Sequence, residues 1–290
     1  MKISVKAYAK INLFLDMESR RDDGYHNILS VMQSVSLCDT VTVEYTHDNE
    51  KNIKVYCNRS DIPCDSHNLA YKAAEIYPLE NGNVTIDIDK KIPMSAGLAG
   101  GSADAAATLI ALNHINGHKL SKEDLKALGA KLGADVPFCI ECGTYIAKRV
   151  GEDLSQCRQM PHCPIIIAKK GEGMSTPEAY RMLDERFDNF SSYSPRSHML
   201  DILCTPHQDD IASYCKGIFN IFECVVEKKR PQVRELKNIM ISHGAVNATM
   251  SGSGTSVFGI FKNTDEAEAS LAALKSTGAE AHLCYPIQRE

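Results

Sequence analysis

The feature that most constrains this chain is a cluster of glycines between a strand pattern and a helix pattern, in the segment GLAGGS at residues 97–102. Val84, Ile86 and Ile88 alternate with polar residues and predict a strand, and the alanine-rich run after the glycines predicts a helix that ends near Gly117. Glycines let backbone N–H groups point inward, and the first turn of a helix carries unpaired N–H groups and a partial positive charge. This order of elements therefore fits a phosphate site.

The residues alone leave two uses for these glycines, phosphate binding and close packing of the helix on the strand. No lysine follows them as in a Walker A loop, and their spacing does not match G-x-G-x-x-G. A second glycine-rich segment, MSGSGTSVFG at residues 250–259, leads into another predicted strand and by itself indicates a tight hairpin. Two such segments far apart in the sequence favour a nucleotide held between two domains.

Composition excludes little beyond the extreme classes of protein. The chain has 290 residues, of which 43% are hydrophobic and 24% charged, so it suits two modest domains or one large one. The formal net charge is −5 and basic residues form no long run, so we expect no nucleic-acid partner. No stretch reaches the ~18 apolar residues of a membrane span, so we expect no membrane partner either.

The cysteines predict a reducing compartment. There are eleven of them, an odd number, and the N-terminal sequence MKISVKAYAKINLFLD lacks the apolar segment of a signal peptide. We therefore expect free thiols and a cytoplasmic location. Cys139, Cys142, Cys157 and Cys163 leave a zinc-dependent interaction protein as an alternative, although the gap between the last two fits a zinc site poorly.

Periodicity and turn signals predict an α+β chain in two layers. Strands are expected at residues 3–7, 41–45, 84–88, 162–167, 257–261 and 280–287, and helices at 68–77, 121–133, 231–244 and 264–278 and directly after Ser175. We expect ADVPFCI, residues 134–140, to be a turn that enters a strand, and residues 186–210 to be a loop or a small excursion. Prolines and small polar residues near 150–163 divide the chain into predicted domains 1–160 and 161–290.

Five motifs in order resemble the GHMP small-molecule kinases: AKINLFL (9–15), DGYH (23–26), IPMSAGLAGGSADAA (92–106), LGADVPF (132–138) and MSGSGTSVFG (250–259). The resemblance implies a two-domain GHMP-kinase fold, in which the N-terminal domain resembles a ribosomal-protein domain and the C-terminal domain is ferredoxin-like. It also implies that ATP and substrate meet between the two domains. DGYH and GADVPF are typical of members that act on 4-diphosphocytidyl-2-C-methyl-D-erythritol.

The activity that the resemblance implies is transfer of the ATP γ-phosphoryl group to a hydroxyl of the methylerythritol unit, giving the 2-phosphate. A hydroxyl needs a group that accepts its proton and positive charge that stabilises the transferred group. Asp135 matches the family's general base and Lys10 its charged partner. Without the resemblance, Asp135 would be a turn residue and Lys10 a solvated strand lysine, although Lys10 interrupts an apolar run.

The resemblance also assigns binding residues. ATP is expected to contact Asn68 on the adenine side and, around the phosphates, Pro93, Met94, Ser95, Ala96, Gly97, Leu98, Ala99, Gly100, Gly101, Ser102 and Ala103. Tyr25 and His26 match the cytidine site, where an aromatic ring stacks on the base and the histidine reads its edge. Asn12 and Thr176 are expected to contact the substrate, and Ser175 is expected to cap its helix. Mg²⁺ is implied with ATP, and no ligand for it is predicted.

Three alternatives stay open at this point. The first is a related kinase acting on mevalonate or homoserine, which DGYH does not favour because those acceptors carry no base. The second is a nucleotide- and sugar-binding sensor without catalysis, which the presence of Lys10 and Asp135 does not favour. The third is the zinc-dependent interaction protein. The expected partner is the small cytidine-diphosphate sugar-alcohol substrate, and the expected assembly is a monomer or a weak homodimer.

Overall fold

The structure is a computed structural model that describes residues 1–190, 193–205 and 210–288. The strands are β1 (Lys2–Arg20), β2 (His26–His47), β3 (Asn52–Cys57), β4 (Gly82–Asp89), β5 (Thr144–Arg149), β6 (Asp153–Gln156), β7 (Ile165–Lys169), β8 (Phe219–Asn220), β9 (Asn247–Met250), β10 (Val257–Ile260) and β11 (Glu280–Cys284). The helices are α1 (Leu69–Ile76), α2 (Gly100–Ile115), α3 (Lys122–Ala130), α4 (Val136–Glu141), α5 (Thr176–Phe187), α6 (Ser197–Cys204), α7 (Ile211–Tyr214), α8 (Glu223–Lys229), α9 (Gln232–Ser242) and α10 (Thr264–Ser276).

The chain forms two compact units, and neither is continuous in sequence. The first unit contains Met1–Ala9, Cys38–Ile92 and Ala99–Cys142, and the second contains Lys10–Leu37, Pro93–Leu98 and the chain from Gly143 onward. The long strands β1 and β2 contribute residues to both units, and the glycine-rich segment is divided between them after Leu98. The division into domains 1–160 and 161–290 stays a prediction.

The first unit packs helices on one sheet. β3 lies parallel to β4, and β4 pairs antiparallel with β2 in a register that places Ile86 opposite Val43. Helix α1 packs on β3, β4 and α2, and α2 also packs on α3 and α4. Most of α2 is buried, and many of its buried side chains are alanines, whose small size lets neighbouring helices approach closely.

The predicted helices of this unit are confirmed. Helix α1 begins after Asn68, whose side chain accepts a hydrogen bond from the Ala70 N–H. Helix α3 begins with a capping box, in which Ser121 and Asp124 each bond the other's backbone N–H. Helix α2 ends where predicted, and Gly117 follows it with φ +71°.

The strand predicted after ADVP is wrong, because these residues form helix α4. Asp135 occupies its N-cap position, and a proline lies in its first turn, where the missing N–H costs nothing. The residues Val136–Ile140 are all buried, so the run lacks the polar face that marks an amphipathic helix. Gly129 of α3 allows the packing, since a Cβ there would lie 2.7 Å from Cγ1 of Val136.

The second unit contains an antiparallel sheet in the order β11-β7-β10-β9, on which α9 and α10 pack. β9 and β10 are paired with Met250 opposite Val257, so the second glycine-rich segment joins two strands of a hairpin. In the same unit β1 lies parallel to β8 at Phe14 and Leu15, and β2 pairs antiparallel with β5.

The predicted loop at 186–210 is wrong where the structure describes it. Helix α5 continues to Phe187, a 3-10 turn follows at Asp188–Phe190, and α6 occupies Ser197–Cys204. The segment is polar and its apolar residues follow no clear periodicity, which is typical of a loop. In the structure, however, Phe190 and Leu203 are both buried. The parts of the prediction at 191–192 and 206–209 lie outside the described residues.

Candidate active site

The first half of the glycine-rich segment lies against the second glycine-rich segment, within the second unit. The Ser251 hydroxyl donates to the Gly97 carbonyl at 3.0 Å, and the Ser256 N–H donates to the Ala96 carbonyl at 3.3 Å. Gly97 has φ +74°, and a Cβ there would lie 2.1 Å from the Ser251 carbonyl oxygen. This contact requires glycine, because both the backbone conformation and the space exclude a side chain.

Lys10 and Asn12 extend this arrangement. The Lys10 N–H donates to the Leu98 carbonyl at 3.1 Å, and the Asn12 N–H donates to the Ser251 hydroxyl at 3.3 Å. The Lys10 ammonium donates to Oδ1 of Asn12 at 2.7 Å, and Nδ2 of Asn12 donates to Ser30 at 2.8 Å. Lys10 is only 6% exposed, so it is not a solvated strand lysine. A buried ammonium held by an amide is suited to act on a bound anion.

The second half of the glycine-rich segment belongs to the first unit and starts helix α2. Ala99 is the N-cap residue with φ +57°, and its methyl side chain cannot cap the helix. Gly101 is exposed and Ser102 half-buried. Because the first N–H groups of a helix have no partner inside it, this start can hold an anion. The Ala103 N–H donates to the Ala99 carbonyl, which is the i to i−4 hydrogen bond that begins helix α2.

Asp135 also belongs to the first unit, where it is half-buried at the start of α4. Its carbonyl accepts the Cys139 N–H at 3.1 Å. Its partner in the sequence-based mechanism, Lys10, belongs to the other unit. The joint action of these two residues therefore stays a prediction.

The predicted base-binding residues differ strongly in exposure. Tyr25 is 65% exposed, whereas His26 is buried. Nε2 of His26 lies 2.6 Å from Oδ1 of Asp184, and its ring centroid lies 4.8 Å from that of Tyr180. Asp184, which the sequence analysis missed, fixes one ring nitrogen of His26.

Ser175 and Thr176 lie at the start of helix α5, where capping was expected of Ser175 and substrate contact of Thr176. Ser175 occupies the N-cap position of α5, but its side chain makes no capping hydrogen bond, so that part of the prediction is wrong. The Thr176 hydroxyl lies 3.0 Å from the hydroxyl of Ser253 in the second glycine-rich segment. The structure thus brings Thr176 to the same segment as Gly97 and Asn12. Asn68 uses its side chain to cap α1.

A buried cluster of opposite charges was also missed. The Lys90 ammonium lies 2.5 Å from Oδ2 of Asp39 and 2.6 Å from Oδ2 of Asp104. All three side chains are buried in the first unit. The only signal in the sequence is a single aspartate in the alanine-rich run of α2.

The zinc alternative finds no support in the structure. All eleven cysteines are free thiols. In the part of the chain that the structure describes, no group of three or more His, Cys, Asp or Glu side chains is arranged to hold a metal ion. The same part of the chain contains no helix that is both long and apolar enough to cross a bilayer.

Comparison with known proteins identifies the family. The family described as "GHMP kinases N terminal domain" matches residues 68–143, and "GHMP kinases C terminal" matches residues 203–280. A protein from Alkaliphilus metalliredigens named 4-diphosphocytidyl-2-C-methyl-D-erythritol kinase is 39% identical, over 99% of this chain and 98% of its own. The chain belongs to the GHMP kinase family.

Other relatives of this GHMP kinase agree. A protein of the same name from Caldicellulosiruptor saccharolyticus is 40% identical over 93% of this chain and 92% of its own. A crystal structure titled 4-(cytidine 5'-diphospho)-2C-methyl-D-erythritol kinase has a TM-score of 0.79 and 29% identity, covering 98% of this chain and 99% of that one. A homoserine kinase from Cytophaga hutchinsonii, with a TM-score of 0.72 but 17% identity, shares the fold alone.

The family membership confirms the two-domain α+β GHMP-kinase fold and the class of enzyme. This GHMP kinase is an ATP-dependent small-molecule kinase. The relatives carry the names of enzymes, so the alternative of a sensor without catalysis is not favoured. The glycine-rich segment, for which the residues alone left two uses, thus lies in a protein that must bind triphosphate.

Proposed function

We propose that this kinase phosphorylates a hydroxyl of 4-diphosphocytidyl-2-C-methyl-D-erythritol to give the 2-phosphate, a step of the non-mevalonate route to isoprenoid precursors. The observation that carries the proposal is the match to kinases of that name over almost the whole chain, at 39% and 37% identity. Solved mevalonate kinases share the fold at 15% identity, and a likeness at this level gives no information about the substrate. A cytoplasmic location belongs to the same proposal.

Asp135 and Lys10 are the residues proposed to act on the reacting atoms. A carboxylate at position 135 accepts the proton of the substrate hydroxyl as the oxygen attacks phosphorus. The Lys10 ammonium stabilises the negative charge on the attacking oxygen and the transferred group. The Asn12 amide supports this role, since it holds the ammonium at 2.7 Å and limits its motion.

The residues Pro93 to Ala103 are proposed to bind the phosphates of ATP, and Asn68 to line the adenine side. The support is the helix start at Ala99, an N-cap residue whose side chain makes no capping hydrogen bond. Backbone N–H groups at such a start bind phosphate oxygens directly. Ser251 supports the binding conformation by holding the Gly97 carbonyl.

Tyr25, His26, Asn12 and Thr176 are proposed to bind the acceptor. The exposed Tyr25 ring offers a face for the cytosine base, and the His26 nitrogen not engaged by Asp184 offers a hydrogen-bonding group. The Thr176 hydroxyl, next to Ser253, offers a donor for the substrate diphosphate.

Mg²⁺ is proposed to enter with ATP, whose phosphate charge it neutralises. Magnesium in kinases keeps several waters and takes one or two protein oxygens besides the phosphates.

An ADP-release assay tests the proposed function. We expect turnover with 4-diphosphocytidyl-2-C-methyl-D-erythritol and none with mevalonate or homoserine. Asp135→Asn should lower kcat by roughly 100-fold to 10,000-fold while ATP still binds. Asp201→Asn, an exposed aspartate, is the matched control and should keep the wild-type rate. Turnover with mevalonate alone would overturn the substrate, and a near-normal rate of Asp135→Asn would remove the base.

A further inference from the structure

A buried carboxylate–lysine cluster, formed by Asp39, Lys90 and Asp104, lies under the start of helix α2. Asp39 comes from β2, Lys90 follows β4, and Asp104 lies one turn into α2. The Lys90 ammonium bridges the two carboxylates at 2.5 and 2.6 Å. Burying these charges carries a large desolvation cost, so the cluster is weak evidence of stabilisation by itself. Its hydrogen bonds to neighbouring backbone indicate a positioning role.

The cluster holds both ends of the chain that enters and leaves the glycine-rich segment. Oδ1 of Asp39 accepts the N–H groups of Lys91 at 2.5 Å and Ile92 at 2.8 Å, directly before Pro93. On the other side, a Cβ on Gly100 would lie 3.0 Å from the Lys90 ammonium. The Lys90 ammonium therefore lies close to the first residue of α2, where the proposed phosphate site begins.

The cluster contains one negative charge more than it can balance. Two carboxylates share one ammonium, and Oδ1 of Asp104 is buried without a hydrogen-bond partner among the described residues. A buried carboxylate oxygen without a donor favours the protonated form. Burial raises the pKa of Asp104 to about 7, the nearby Lys90 charge acts against this rise, and the Asp39 charge adds to it.

Lys90 keeps its positive charge near neutral pH. Burial by itself would lower the pKa of Lys90, but the two carboxylates more than offset it and the pKa is raised. Both oxygens of Asp39 have donors, two backbone N–H groups at Oδ1 and the ammonium at Oδ2, whereas Oδ1 of Asp104 has none among the described residues. Asp104 is therefore the member of the cluster that gains or loses a proton.

Among the described residues around α2, Cys57 is a further titratable group near this cluster. Cys57 at the end of β3 interacts electrostatically with Asp104, but burial raises the pKa of this thiol, which keeps it neutral. Lys126 of α3 and Glu141 of α4 pair with each other at 2.5 Å. Tyr77, which follows α1, donates its hydroxyl to Asn113.

We propose that Asp104 takes up a proton when nucleotide binds, so that the carboxylate–lysine cluster couples protonation to phosphate binding at the start of α2. With both carboxylates ionised the cluster carries a net charge of about −1 directly under an anion site, and protonation removes that repulsion. The coupling is reciprocal, because a proton that strengthens phosphate binding is itself bound more tightly when phosphate is present. This inference rests on the proposed function, which places ATP phosphates at this helix start.

The direction of the pH effect follows from the raised pKa. The folded chain holds the Asp104 proton up to a pH near 7, whereas an unfolded aspartate loses it near its ordinary value of 3.8. The contribution of Asp104 to stability is therefore complete below the ordinary value and is lost as the pH rises through 7. Nucleotide affinity should weaken as the pH rises from 6 to 8, and Asp104 acts as a positioning residue rather than a catalytic one.

Calorimetric titration of the full chain with ADP in excess Mg²⁺ tests the proposal. For the wild type we expect the Kd to rise about 5-fold between pH 6 and 8, if binding raises the pKa by about one unit. Asp104→Asn imitates the protonated acid, so its Kd should change by less than about 2-fold over that range. Asp87→Asn, an exposed aspartate of β4, is the matched control and should follow the wild type.

A second measurement covers the case in which Asp104→Asn does not fold. Titration of the wild type at pH 7 in two buffers of different ionisation enthalpy measures the protons taken up with ADP, and we expect a fraction of one proton. No uptake by the wild type, or the same pH dependence in Asp104→Asn as in the wild type, would overturn the proposal. A wild type that binds no ADP at all would instead overturn the proposed phosphate site.

Discussion

At the scale of single residues, the position of His26 depends on a carboxylate that has no motif of its own. Asp184 lies near the C-terminal end of α5, 158 residues beyond His26, and its Oδ1 lies 2.6 Å from Nε2. Arg20 lies 3.7 Å from the other oxygen of Asp184, so that carboxylate has a second partner. A partly buried pair of this kind orients the imidazole ring and sets which nitrogen carries the proton.

Replacement of Asp184 should therefore affect recognition of the acceptor. We expect Asp184→Ala to raise the KM for 4-diphosphocytidyl-2-C-methyl-D-erythritol about 10-fold, because a buried hydrogen bond to a charged group is lost. The KM for ATP and the pKa values of the kcat profile should stay unchanged. Steady-state kinetics with each substrate varied in turn measures this, with Asp201→Ala as the control. Equal increases of both KM values would show general damage to the fold instead.

The predictability of single residues depends on how far their partners lie in the sequence. Lys10 could be singled out because a charge interrupts an apolar run, and its burial agrees with that signal. Ser251 and Asp104 could not be singled out, because the contacts that give each its structural role form only in the folded chain. The glycines of the segment were visible, but the oxygen that excludes a Cβ at Gly97 was not.

At the scale of secondary-structure elements, regular patterns were predicted correctly and short buried ones were not. Helices α1 and α3 have caps and apolar faces that a sequence shows directly, and both are confirmed. Helix α4 has six residues and no polar face, so periodicity cannot distinguish it from a buried strand. Strand β8 has two residues and is defined only by its pairing with β1.

β8 nevertheless carries an anchor for the second glycine-rich segment. Nδ2 of Asn220 donates to the carbonyls of Met250 at 2.6 Å and Gly252 at 2.9 Å, and its Oδ1 accepts the Phe222 N–H at 2.9 Å. The Asn220 side chain is buried, so water cannot replace its hydrogen bonds to these backbone groups when the side chain is truncated.

We expect Asn220→Ala to lower the free energy of unfolding by about 3 kcal/mol, because it leaves buried carbonyl groups without donors. Urea denaturation measures this change. Asn247→Ala is the matched control, because Nδ2 of Asn247 donates a single hydrogen bond, to the Cys215 carbonyl at 2.9 Å, and its loss should cost about 1 kcal/mol. Equal losses in the two variants would contradict an anchoring role for Asn220.

At the scale of the whole molecule, the family fold was predictable and its compact units were not. Five ordered motifs indicated a GHMP kinase, and the comparisons confirm that membership. The two compact units each combine three separate stretches of chain, because β1, β2 and the glycine-rich segment pass from one unit to the other. No local signal marks such passages, since they are set by which strands pair.

The thiols are a second property of the whole molecule. All eleven are free thiols in the structure. Cys157 and Cys204 are unusual among them, because their sulfur atoms lie 2.9 Å apart within the second unit. The hydrogen bond from Cys157 lowers the pKa of Cys204, which favours the thiolate there. A thiolate in contact with a second thiol is the arrangement from which disulfide exchange starts.

We predict that glutathione disulfide converts this pair into one intramolecular disulfide. The Cys204 thiolate attacks the oxidant and releases one glutathione, and the Cys157 sulfur then attacks the mixed disulfide and releases the second. Cross-linking two residues 47 positions apart should stabilise the chain by about 4 kcal/mol through the unfolded state. Peptide mapping and thermal unfolding measure both effects. Cys204→Ser should abolish the cross-link, whereas Cys64→Ser, at an exposed thiol, should not; a product linked through Cys64 instead would contradict the prediction.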